Sequence, residues 1–62
     1  MDLSIVILSY NGKELVRNCL NSIFKNTLGI EFEVFVVDNG SSDGTPEMVR
    51  AEFPQVRLVA NR

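Results

Sequence analysis

The sequence predicts an α/β domain of order β-α-β-α-β, with a three-stranded parallel sheet in the order 3-2-1. Three observations carry that expectation. Short apolar runs, "LSIVIL", "FEVFVV" and "VRLVA", alternate with two segments of helical periodicity. The first two runs each end in a cluster of turn formers, "SYNG" and "DNGSSDGT". The intervening segments are long enough for crossovers between parallel neighbours, and right-handed crossovers without reversal place both helices on one face of the sheet.

Each element has its own signals. Leu3 to Leu8 is β-branched and apolar, as a largely buried strand should be. A helix is expected next, with Asn11 as N-cap and Glu14 three residues on, the spacing of a capping box. Its inner face is expected to be Leu15, Val16, Cys19, Leu20, Ile23 and Phe24, with Lys13, Arg17, Asn18 and Asn21 outside. The pattern stops near Asn26, and Gly29 is placed to redirect the chain. Phe32 to Val37 is the second strand. Thr45 is expected to cap a short second helix, with Pro46 at the first helical position and Glu47 near the positive end of the helix dipole. Met48, Val49 and Phe53 supply its inner side, Pro54 follows its end, and Val56 to Ala60 is the third strand. Two helices on one face leave the other face bare and apolar, so the chain is expected either to open a larger domain or to self-associate.

Composition narrows the function classes. The 62 residues, 45% apolar and 23% charged, describe one small globular unit at most. A net charge of −2 with scattered Lys and Arg gives no electrostatic footprint for nucleic acid. The single cysteine, Cys19, forms no internal disulfide, and with no histidine a zinc site has few ligands. Cys19 reads as a small core residue, with no basic partner to activate it. The apolar core of the amino terminus is too short for a membrane span and lacks a cleavage signature, so it reads as a strand and not a signal. The lone cysteine makes a reducing, cytoplasmic location the expectation, with the inner face of a membrane open for a longer parent protein.

In open parallel sheets, ligands bind beyond the carboxyl ends of the strands, where both polar clusters lie. If the first two strands are neighbours, the clusters face each other across one cleft. The same residue types also serve a loop that turns and caps a helix without any ligand, so loop composition leaves both readings open. Tyr10 could bind a flat ring or merely cover the sheet end; Asp43 reads as a loop-ordering residue; Ser41 and Ser42 fit either role. Gly12-Lys13 lacks the upstream glycine of a P-loop, and Gly40 and Gly44 do not make G-x-G-x-x-G. A receiver-like phosphoacceptor at Asp38 would want an acidic cluster after the first strand, and "SYNG" has none.

"SIVILSYNGKELVRNCLNSI", then "FEVFVVDNGSSDGT", then "VRLVANR" resembles the amino-terminal segment of family 2 glycosyltransferases, inverting enzymes of the GT-A fold. The likeness runs over essentially the whole chain, and the Asp-Asn-x-Ser form is similar to a branch rich in rhamnosyltransferase-like members. The resemblance implies that residues 1–62 are the first part of a GT-A Rossmann-like domain, itself incomplete, forming part of the pocket for a UDP-, dTDP- or GDP-sugar. Transferred to matching positions, Ser9, Tyr10 and Asn11 line one wall of that pocket, and Asp38 with Asn39 the other. Many members carry a second acid where this chain has Asn39, which leaves the base open. The resemblance also implies Mg²⁺ or Mn²⁺ held by a D-x-D motif and a later acidic base. Neither motif occurs in this chain, so the expectation is no catalytic residue, no metal ligand and no turnover by the 62 residues alone. The alternative is a non-catalytic half-domain that binds nucleotide weakly or only associates with itself.

Overall fold

The computed structural model describes residues 2–61; Met1 and Arg62, at the ends of the expected segment, lie outside them. The elements run β1 (Leu3–Ser9), α1 (Lys13–Asn26), β2 (Phe32–Asn39), α2 (Thr45–Glu52) and β3 (Arg57–Asn61). β2 lies between β1 and β3 and pairs parallel with both, which is the predicted order. The register sets Ser9 opposite Asp38 and Asn39 opposite Asn61.

Strand alternation sorts the side chains onto two faces. One face of β2 sends Val34 and Val36 into a core with Val16 and Leu20 of α1, Met48 and Val49 of α2, and Phe53 and Val56 beyond it. Both helices therefore cover the same face. Ile5, Ile7 and Leu58 pack against this cluster from the outer strands. Phe24 joins the two ends of the core, its ring 5.5 Å from that of Phe32 and stacked 6.2 Å from that of Phe53. Burying each such Val or Leu side chain contributes roughly 1.5–3 kcal/mol.

The other face is bare, as the helix placement requires. Val6 and Leu8 of β1 and Val59 of β3 are 60%, 72% and 47% exposed. Phe35 and Val37 lie between them on β2, half-buried by their neighbours. Arg57 extends its guanidinium over the Phe35 ring at 5.8 Å, and the Ser4 hydroxyl donates to Glu33 at 3.1 Å.

Two expectations for α1 need correction. Leu15 is 78% exposed and Cys19 is exposed, not part of the inner face. The core-facing stripe is narrower than the apolar stripe in sequence, because two helices over three strands cover only Val16, Leu20 and, in part, Ile23 and Phe24. The cap also differs. Gly12, not Asn11, is the N-cap of α1, and Glu14 pairs with Arg17 instead of closing a capping box. Asn11 takes a left-handed conformation, φ 51°, and spends its carbonyl elsewhere. At α2 the N-cap is Gly44, and Thr45 and Pro46 open the helix proper. Arg17 then joins the helices across the surface, its Nε and Nη2 donating to the two oxygens of Glu52 at 2.8 and 2.7 Å. That hydrogen bonding holds the Glu52 carboxyl below its ordinary value.

Candidate nucleotide-binding site at the carboxyl edge

The parallel register delivers the two polar clusters to one edge. Where β1 and β2 end, the Ser9 hydroxyl donates to Oδ1 of Asp38 at 2.7 Å, both side chains being buried. The Ser41 N–H donates to Oδ2 of Asp38 at 2.9 Å, and the Ser41 hydroxyl donates to Oδ1. Asp38 is only 1% exposed. Burial is the largest single influence on its carboxyl and pushes it up. The hydroxyl and N–H of Ser41, the hydroxyl of Ser9 and the N–H of Gly40 together outweigh it, holding the group ionised below its ordinary value.

The loops are also laced to each other. The Asn11 N–H donates to the Ser41 hydroxyl oxygen at 2.7 Å, and the Ser42 N–H donates to Oδ1 of Asn11 at 2.7 Å. The Lys13 N–H donates to Oδ2 of Asp43 at 3.1 Å. Asp43 accepts on its other oxygen the N–H of Thr45, at 3.1 Å, and the Thr45 hydroxyl. These bonds hold the Asp43 carboxyl below its ordinary value, the Thr45 hydroxyl foremost. The path that makes this possible turns at Gly40 and Gly44, both at φ 88°, where a side chain would be strained.

Beside this network, on the β2–β3 side, lies a pocket of about 430 Å³. Asp38, Gly40 and Ser41 form its wall at β2, Glu47 and Arg50 come from α2, and Asn61 closes it at β3. The Nδ2 of Asn61 donates to Oδ1 of Asn39 at 3.3 Å along its rim. Glu47 and Arg50 bring one charge of each sign to a concave surface at the strand ends, where an open parallel sheet takes its ligands.

The five residues expected to line a nucleotide thus divide. Ser9 and Asp38 turn to each other inside the protein, and Asn11 ties its carbonyl to the second loop. Tyr10, 67% exposed, and Asn39, exposed, present surface to solvent. The register brings Ser9, Asp38 and Asn39 to one edge, but of the five only Asp38 lines the pocket; Ser9, Tyr10, Asn11 and Asn39 do not. Arg50 and Asn61 were not singled out from sequence. Asn61 could have been, because the same register logic that pairs the first two strand ends sets it beside Asn39. Among the described residues no group of three or more His, Cys, Asp or Glu side chains could hold a metal. These residues therefore supply no ligand set for a divalent cation by themselves.

Residues 4–62 match the profile of Glycosyl transferase family 2. This chain belongs to that family. The glycosyltransferase YfnE of Bacillus subtilis is 43% identical over 67 residues, covering 100% of this chain and 17% of that protein. Glycosyltransferase AglE of Haloferax volcanii is 46% identical over 48 residues, covering 76% of this chain and 16% of the relative. A solved structure, the mannosyltransferase PcManGT from Pyrobaculum calidifontis in complex with GDP-Man and Mn²⁺, shares 29% identity with a TM-score of 0.76, covering 98% of this chain and 20% of that one. The family 2 chain described here therefore spans a fifth or less of these relatives, and its β-α-β-α-β arrangement superposes on the corresponding part of the mannosyltransferase.

Proposed function

We propose that the chain forms the donor-nucleotide side of a glycosyltransferase that moves a sugar from a nucleotide-activated donor to an acceptor hydroxyl with inversion. The observation that carries this reading is the superposition on a mannosyltransferase solved in complex with GDP-Man, joined to a pocket at the carboxyl ends of β2 and β3 in this chain. In this reading residues 1–62 are the first segment of the enzyme's domain, which acts in the cytoplasm.

The roles follow from exposure. Tyr10 offers an apolar ring face to a flat base. Asn39 and Asn61 offer amide donors and an acceptor to a base edge or ribose hydroxyl, and Arg50 supplies the positive charge in the pocket. Ser9 and Asp38 act behind them, tying the end of β2 that carries Asn39 to β1, and the exposed Asn11 ties the two loops together. An amide at position 39 pairs with purine or pyrimidine edges, so UDP, dTDP and GDP donors all remain in the substrate class. A divalent cation, Mg²⁺ or the Mn²⁺ found in the mannosyltransferase complex, would neutralise the departing diphosphate; no group of three or more His, Cys, Asp or Glu among the described residues supplies its ligands.

Calorimetric titration of the full-length protein with GDP, UDP and dTDP, with and without Mn²⁺, tests this. Binding of at least one, weakened by Tyr10→Ala and Asn39→Ala, is the expected result. Absence of binding by all three, with the protein folded, overturns it. The 62-residue chain alone should turn over no nucleotide sugar.

The bare sheet face supports a second, separate reading for the isolated chain: it associates with a second copy through Val6, Leu8, Phe35 and Val59. Glu33 at one end of this face and Arg57 at its edge give a two-fold pair opposite charges to match. A monomer by sedimentation at high micromolar concentration overturns that reading.

A further inference from the structure

Neither helix caps itself. The N-cap residues are Gly12 for α1 and Gly44 for α2, and neither has a side chain to accept a free N–H. One carboxylate does the work for both. Asp43 takes the first N–H of α1, that of Lys13, on Oδ2, and the first N–H of α2, that of Thr45, on Oδ1, each at 3.1 Å. Residues 13 and 43 are 30 apart in sequence, so this is a long-range bond, unlike an ordinary cap. The charge lies between the positive ends of two helix dipoles, an arrangement that favours the ionised form.

What the two helices carry makes the bond consequential. Tyr10 and Asn11 lead directly into α1, while Asn39 leads through the second loop into α2, which holds Arg50. We infer that Asp43 is a positioning residue of the nucleotide cleft: it touches no ligand, and it fixes the Tyr10 wall relative to the Asn39 and Arg50 wall by clamping both helix starts to one side chain. This rests on the donor-binding reading above. The cleft is then built before ligand arrives, and affinity depends on a residue outside the contact surface.

Amide hydrogen exchange, calorimetric titration with GDP, UDP and dTDP, and steady-state kinetics on the full-length protein test the inference together. In Asp43→Ala, exchange should accelerate about tenfold at both Thr45 and Lys13, the factor a lost cap hydrogen bond allows. Thr45→Val, which removes only the hydroxyl donor, should leave Lys13 protected. Asp43→Asn keeps one acceptor oxygen, so it should deprotect one helix start and not both, and it serves if the alanine variant folds poorly. The KM for the nucleotide donor should rise about five- to tenfold in Asp43→Ala with kcat within about twofold, the pattern of lost ground-state positioning. Unchanged exchange at Lys13 overturns the clamp. Faster exchange at Lys13 with donor affinity equal to that of the parent overturns the positioning role. A parent protein that binds no nucleotide, yet loses Lys13 protection in the variant, counts against the donor reading and not against the clamp.

Discussion

The carboxyl edge of the sheet and its bare face are built from the same three strands, yet they stand at opposite extremes of self-sufficiency. At the edge, Ser9, Asn11, Asp38, Ser41 and Asp43 find their hydrogen-bond partners within the chain, and no described buried side-chain polar atom lacks one. On the bare face, Val6, Leu8 and Val59 find no covering layer among the described residues. The difference teaches that these residues are enough to order a polar edge but not to enclose a sheet. Polar networks close over short distances, whereas apolar faces need a second layer.

If that contrast is right, mutations at the edge should cost folding and mutations on the bare face should cost only association. The largest effect is expected in the core beneath the helix-covered face. Leu20→Ala empties a fully buried site and should destabilise by about 2–5 kcal/mol, measured by urea denaturation. Asp38→Ala leaves the Ser9 hydroxyl and the Ser41 N–H without an acceptor and should cost about 2–3 kcal/mol. A cost near zero would show that the edge network is ornamental and would break the comparison. Leu8→Glu, on a residue already in water, should shift stability by no more than about 0.5 kcal/mol while abolishing any self-association seen by sedimentation.

The acid response sharpens the contrast further. The Asp38 and Asp43 carboxyls lie below their ordinary value of 3.8, so the stability they contribute is fully present above that value. It is lost as pH falls through their lower folded values, because the unfolded chain then binds more protons. Thermal unfolding followed from pH 7 downward should therefore stay level until the ordinary value is passed, and Asp38→Asn should show a shallower acid decline than the parent. The smallest effect belongs to the surface pair. Arg17→Gln should leave the melting temperature almost unchanged in high salt, since an exposed ion pair is screened.

Much of this was legible in the sequence. Alternating apolar runs and helical periods named all five elements, and the handedness of crossovers predicted the 3-2-1 order and the bare face. The edge location of "SYNG" and "DNGSSDGT" followed from topology alone. What sequence could not show is which way each polar side chain turns. Asn11 has the composition of an N-cap, but the left-handed backbone at this residue sends its carbonyl to Ser42, and the cap of α1 comes from Asp43 in a different loop. Asp38 likewise has the chemistry of a ligand contact, and its direction inward depends on Ser9 arriving opposite it, a fact of register and not of local pattern. Cys19 and Leu15 were misplaced because helical periodicity reports which side of a helix is apolar, not how much neighbouring structure covers that side.

The pairing of Ser9 with Asp38 also acts as a proofreading device for strand alignment. Were β2 to slide by one residue against β1, the carboxylate would swing to the opposite side of the sheet, away from its hydroxyl, and a valine or an asparagine would stand in its place. Hydrophobic strands alone tolerate such slips, since one valine packs much like the next. A single charged residue that is at ease in only one alignment rejects the misaligned sheets, so the group that orders the polar edge also selects the fold that displays it.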